Sequence, residues 1–138
     1  MLFPKKVKFR KWQTGRRNPK RDRLENRGTE LSFGSYGLKA EAPARIKSNQ
    51  LEAARKTIAH ALKKAGKVWI RVFPDRPFTA KPAEVKLGKG KGEPQGYVAQ
   101  VWAGRILFEL DGIDAATAKE SLRKAGAKLP VKTRIVSR

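Results

Sequence analysis

Residues Lys86 to Gly96 read KLGKGKGEPQG, glycine and lysine in near alternation with no apolar side chain after Leu87. Three kinds of chemistry use such a stretch: a nucleotide phosphate loop in an enzyme, a flexible linker, or a cationic finger laid against a polyanion. A Walker phosphate loop needs glycine, four residues, then Gly-Lys-Ser/Thr, and no position in the chain satisfies it. A dinucleotide loop needs glycines at i, i+2 and i+5 opening a helix. Counted from Gly88 the last of these falls on Glu93, and from Gly90 it falls on Gln95. A neutral tip is served equally well by serine or asparagine, so Lys86, Lys89 and Lys91, with Lys81 upstream, favour the finger. Gly88, Gly90 and Gly92 let the backbone come close to phosphate oxygens, which N–H groups and ammonium groups hold together.

Other candidates for catalysis are thin. His60 is the single histidine, set in a basic helix with no HExxH context, and reads as a surface or boundary residue. The carboxylates Glu41, Glu52, Asp75, Glu84, Glu93, Glu109, Asp111, Asp114 and Glu120 are scattered along the chain. Glu109 and Asp111 share one strand face and read as a solvated sheet edge. The absence of cysteine removes disulfides, thiolate catalysis and cysteine-ligated zinc. The expectation is a protein that is no enzyme, with no catalytic residue, cofactor, metal or small-molecule substrate.

Charge is the dominant feature. Lys and Arg number 33 against 12 Asp and Glu, a formal net charge of +21. A folded domain this basic repels itself unless a polyanion is present, and nucleic acid is the leading partner. An anionic membrane surface is second, but the apolar stripes are alanine-rich and face a core. The longest apolar runs fall far below the roughly 18 residues of a membrane span. At 138 residues, 39% of them hydrophobic, the chain suits one domain with a real core.

The elements that must carry these groups follow from pattern. Residues 1–28 hold 11 basic residues, among them Lys5, Lys6, Lys8, Arg10, Lys11, Arg16 and Arg17, against Asp22 and Glu25 alone. They read as an extended arm that orders on its partner, with Phe3, Phe9 and Trp12 placed either to stack on bases or to anchor the arm. Residues 29–138 read as a single α+β domain with a projecting loop at 81–96. Within it Thr29–Ala42 suggests two short strands about a bend. Ser48–Gly66 is a helix, with Asn49 as cap, Glu52 as its reciprocal partner and Gly66 as stop. Its stripe is Leu51, Ala54, Ile58, Ala61, Leu62 and Ala65, while Arg55, Lys56, Lys63 and Lys64 lie off it and present a cationic face. Lys67–Pro74 alternates Val68, Ile70 and Val72 with Trp69, Arg71 and Phe73, so both faces are apolar and the strand reads as central. Pro74, Pro77 and Pro82 then argue against regular structure. Tyr97–Leu110 reads as a hairpin about Ala103-Gly104. Asp114–Leu129 is a second helix capped by Asp114, with Ala118, Leu122, Ala125 and Leu129 inward, and Val131–Val136 is a last strand. Two helices packed on one face of a mainly antiparallel sheet satisfy this order.

Taken in sequence, MLFPKKVKFRKWQTGR, SFGSYGLKA, NQLEAARKTI, KKAGKVWIRVFPDRPFTAKPAEVKLGKGKG, GRILFELDG and KLPVKTRIV resemble the ordered blocks of the bacterial-type large-subunit ribosomal protein L-sixteen family. The first block resembles the family's own N-terminus, so no added targeting peptide is expected. The resemblance implies a structural component of the large ribosomal subunit that binds 23S ribosomal RNA, joins late in assembly and lies beside tRNA in the aminoacyl or peptidyl site, among neighbouring ribosomal proteins. It implies ribosomal RNA contacts at Lys5, Lys6, Lys8, Arg10, Lys11, Arg16, Arg55 and Lys56. Charge and position extend that set to Arg17, Lys63, Lys64 and Arg71. The resemblance directs the loop residues Lys81, Lys86, Gly88, Lys89, Gly90, Lys91 and Gly92 toward tRNA and the peptidyl-transfer region. The implied place is the ribosome of a cytoplasm, with an organelle matrix left open. A free-standing nucleic-acid-binding regulator is the alternative reading. Two departures stand out: Lys86-Leu87 replaces the family's usual Arg-Met, and RNPKRDRLEN makes the arm a few residues longer and adds two acids.

Overall fold

A computed structural model describes all residues, 1–138. The chain forms seven strands and two helices: β1 (Tyr36–Ala40), β2 (Ala44–Lys47), α1 (Ser48–Leu62), β3 (Lys67–Ile70), β4 (Arg76–Ala80), β5 (Glu93–Val101), β6 (Ile106–Asp111), α2 (Ala115–Gly126) and β7 (Thr133–Ser137). The α+β architecture expected from the sequence holds, but the strands divide into two antiparallel sheets. One has the order β3-β6-β1-β7 and the other the order β2-β5-β4. A single cluster of 17 buried residues draws on both helices and both sheets, so the sheets close over one interior.

The division corrects the hairpin expected at Tyr97–Leu110. β5 pairs with β2 and β4, whereas β6 pairs with β1 and β3. The intervening Trp102–Arg105 segment is held from outside: Gly104 N–H donates to Ala40 O at 2.7 Å, and Glu25 N–H donates to Ala103 O at 2.9 Å. The chain therefore leaves one sheet and enters the other at Gly104, which has φ of +102°.

Three further expectations change. The strand placed centrally at Lys67–Pro74 ends at Ile70 and lies at the edge of its sheet. Its second apolar face is covered by a strap rather than by a strand: the Phe33 ring stacks on Trp69 at 5.9 Å. Pro77, expected to break structure, sits in β4 opposite Tyr97. β4 is an edge strand, where the missing N–H costs no ladder bond. Thr29–Ala42 contributes one strand, β1, not two.

α1 starts with its own variation. Lys47 is the N-cap residue, and its backbone N–H donates to the Gln50 side chain at 2.9 Å. Asn49 does not cap, and Glu52 binds Arg55 through two hydrogen bonds of 3.0 and 2.5 Å. The helix ends at Leu62 because Lys63 turns to φ of +56°, three residues before Gly66. Gly66 serves close packing instead, since a Cβ there would lie 2.7 Å from Asp111 O. Of the expected stripe, Leu51, Ala54, Ile58 and Leu62 are buried, while Ala65 is exposed. α2 is capped as expected by Asp114, whose side chain accepts the Thr117 N–H at 3.1 Å. Ala118, Leu122, Ala125 and Leu129 all face inward.

Candidate nucleic-acid interface

Cations gather on the side of the β2-β5-β4 sheet turned away from the core. Register places Arg45 opposite Gln100, and both Lys47 and Arg76 opposite Val98, so these residues share one face. Ile46, Ala99 and Val101 occupy the other face and join the core. Val98 is only 3% exposed yet lies outside that core cluster, on the face where Arg45 and Arg76 hold the N-terminal arm.

The arm is fastened by its backbone carbonyls and its aromatics. Arg76 donates to Gln13 O and Thr14 O at 3.1 and 3.3 Å, and Arg45 donates to Thr14 O at 3.2 Å. The Arg76 guanidinium also lies 5.5 Å from the Trp12 ring centre and bonds the Gln100 side chain. Phe3 meets Tyr97 edge-on at 6.3 Å. Phe3, Phe9 and Trp12 nonetheless each keep close to half their surface open. A hollow of about 1000 Å³ between the arm and the sheets is lined by Trp12, Trp69 and Trp102 with Arg23, Arg71 and Arg105. Aromatic faces beside guanidinium groups suit stacking of unpaired bases.

The loop of the opening stretch joins β4 to β5 as the tip of a hairpin, from Lys81 to Gly92. Leu87 is 97% exposed and packs on nothing, while Lys11 Nζ of the arm donates to Lys91 O at 3.4 Å near the loop's base. Gly88, Lys89 and Gly90 have φ of +95°, +62° and +90° in succession. A Cβ at Gly88 or Gly90 would meet nothing within 4 Å, so glycine is required there by backbone conformation and not by space. Lys81 Nζ donates to Gly88 O at 2.5 Å and folds the loop on itself. Lys86, Lys89 and Lys91 have no acidic partner and point outward. At the base, Glu93 ties arm to loop: it bonds Arg10 at 2.7 Å and lies 3.9 Å from Lys11.

Other residues expected at the interface divide by environment. Lys5, Lys6 and Lys8 are exposed along the arm, and Lys56, Lys63 and Lys64 are exposed on and beyond α1. Arg17 holds both oxygens of Asp22, at 3.0 and 2.5 Å, and that bond leads the forces holding the Asp22 carboxyl below the ordinary range. Arg55 is engaged by Glu52. Arg71 is half-buried and paired with Glu109.

Glu109 corrects the reading of a solvated edge. It is fully buried on β6, a strand flanked on both sides, and accepts the N–H groups of Ser32, Phe33 and Gly34 at 2.8, 3.0 and 3.2 Å. Burial pushes its carboxyl upward, but the Arg71 bond and the three N–H bonds outweigh that push and hold it below the ordinary range. His60 is exposed on α1, and no three His, Asp or Glu side chains gather as metal ligands would. No helix is long and apolar enough to cross a membrane. Sequence reasoning missed Arg45, Lys47 and Arg76 as members of the cationic sheet face. Their alternation with Ile46 and Pro77 was the available signal.

Comparison with known proteins gives the class of this scaffold. Residues 4–136 match the family described as ribosomal protein L16p/L10e. Large ribosomal subunit protein uL16 of Nitrobacter hamburgensis is 54% identical over 138 residues, covering 100% of this chain and 98% of its own length. The proteins of that name from Parvibaculum lavamentivorans and Xanthobacter autotrophicus are 52% and 51% identical over the same span, with 96% and 98% of their lengths covered. The chain belongs to the ribosomal protein L16p/L10e family. Its role is that of a structural large-subunit ribosomal protein, not of an enzyme.

Proposed function

We propose that the chain binds 23S ribosomal RNA through its arm and cationic faces and extends the Lys81–Gly92 loop toward tRNA beside the aminoacyl site. In that role it supports late subunit assembly and tRNA positioning. The observation that carries this reading is the β4–β5 loop: three exposed lysines without acidic partners on a projecting glycine-rich tip. Lys5, Lys6, Lys8, Arg16, Lys56, Lys63 and Lys64 supply the ribosomal RNA contacts. Arg10 and Lys11 fix the arm to the loop base while keeping exposed edges for RNA. Arg17 and Arg55 are oriented by Asp22 and Glu52, and Arg71 acts indirectly by holding Glu109. The mechanism is charge neutralisation with shape recognition.

The test is replacement of the resident protein in a bacterial large subunit with this chain carrying Lys89→Ser and Lys91→Ser. Those residues lie in an exposed loop, so the fold is retained and particle maturation or tRNA accommodation slows. Normal rates of both, with the altered chain present in the particles, would remove the loop from the mechanism.

A further inference from the structure

The arm segment RNPKRDRLEN does not trail from the body. Asn18 caps a short 3-10 turn at Pro19–Arg21, its side chain accepting the Lys20 N–H at 3.1 Å. Arg17 and Asp22 clamp the turn across its ends. Leu24 then forms a parallel bridge with Ala103. The result is a groove of about 730 Å³ between the arm and the cationic face of the β2-β5-β4 sheet.

Five arginines line this groove: Arg16, Arg17 and Arg21 from the arm, Arg45 and Arg76 from the sheet. Asp22 is the one acid on its wall, and Arg17 already satisfies it. Arg45 and Arg76 use part of their donor capacity on the carbonyls of Gln13 and Thr14. The side chains of Arg16 and Arg21 have no hydrogen-bond partner and no acid in reach. Burial, then the proximity of Arg45, push the Arg76 guanidinium below its ordinary value. The protein thus brings like charges together and offsets them incompletely. Arginines gathered at one concavity can match phosphate oxygens in bidentate geometry through their planar forks, which scattered lysines do not.

We propose that this groove is a built seat for adjoining phosphates of a single RNA strand, closed on one side by the arm. The seat rests on the RNA-binding reading above and adds to it a located, arginine-specific subsite. A polyanion entering the groove relieves the Arg45–Arg76 repulsion and gives Arg16 and Arg21 their missing partners.

The test uses the full chain with a twelve-nucleotide uridine oligomer and with inorganic pyrophosphate, titrated across a salt series. Arg16→Ser with Arg21→Ser is expected to weaken oligomer binding about tenfold or more, two charge-assisted contacts being lost. Its salt slope should fall by about 1.4, or ~0.7 per lost phosphate contact on a single strand. Arg16→Lys with Arg21→Lys is expected to recover less than half of the loss in binding free energy, because lysine restores charge without the fork. Lys119→Ser with Lys128→Ser, two exposed residues on and just beyond α2 that do not line the groove, is the comparison and should cost less than threefold. Full recovery by the lysine variant, or an equal loss in the Lys119/Lys128 variant, would overturn the seat and leave a diffuse basic surface. Pyrophosphate binding as tightly as the oligomer would overturn the RNA strand in favour of a free polyphosphate. Should wild-type protein bind a large-subunit ribosomal RNA fragment with the expected salt dependence while the serine variant matches it, the seat alone fails. If wild-type protein shows no salt-dependent RNA binding, the functional reading fails first.

Discussion

Glu109 shows how far one residue can depart from its sequence context. In the string ILFELD a glutamate two positions from an aspartate looks like the wet side of a strand. What the string does not show is that residues 30–35 bend over that side and direct three N–H groups at one carboxylate oxygen. Gly34 permits the approach, since a Cβ there would lie 2.4 Å from Leu110 O. Removing the charge leaves Arg71 half-buried beside a weaker acceptor, so Glu109→Gln should destabilise the fold by about 3 kcal/mol in a denaturant titration. A pH signature accompanies it. The folded carboxyl is held below its unfolded value, so the pair's stabilisation is present above the unfolded pKa and fades as pH falls through the folded one. Wild-type stability should therefore fall on acidification below roughly pH 4–5, and Glu109→Gln should flatten that limb. An unchanged acid limb in the variant would assign the acid sensitivity to other groups.

At the scale of elements, helices were the most legible part of the sequence. Apolar spacing in Leu51, Ala54, Ile58 and Leu62 and in Ala118, Leu122 and Ala125 gave both helices and both inward faces. Their ends were harder. α1 is closed at its start by Gln50, not by the more typical Asn49. Gln50→Ala should accordingly cost about 0.5–1 kcal/mol in thermal or chemical unfolding, while Asn49→Ala stays within about 0.5 kcal/mol. Strand existence was visible but strand partnership was not. β5 and β6 are consecutive, separated by a glycine-bearing turn, and still belong to different sheets. Local pattern does not encode that Ala40 O accepts the turn's Gly104 N–H or that the turn's Ala103 O accepts the Glu25 N–H. The loop is an exception in which sequence spoke directly: alternate glycines anticipated a backbone run at positive φ. Gly88→Ala with Gly90→Ala should leave the melting temperature nearly unchanged, since nothing packs there, yet disorder the tip. Amide exchange at Lys86–Lys91 checks this, and an unaltered exchange pattern would show that the tip has no preferred path.

For the whole molecule, a net charge of +21 on one small domain explains why its interface was legible as a class before any residue was placed. It also predicts that the free protein is strained by self-repulsion. Adding a polyanion that binds only the folded state should raise the melting temperature, rising with the logarithm of its concentration once that exceeds the dissociation constant. The cationic sheet face, the arm and the loop form one connected basic surface because Glu93 fastens arm to loop and Arg45 and Arg76 fasten arm to sheet. That continuity rests on register, which composition does not carry. The most direct test of a polyanion-neutralising role is the binding of the purified chain to a large-subunit ribosomal RNA fragment across a salt series. With ~6–10 phosphate contacts, affinity should fall roughly 10³–10⁵-fold between 50 and 200 mM salt along a straight log–log line. An affinity that stays flat over that range would contradict the account.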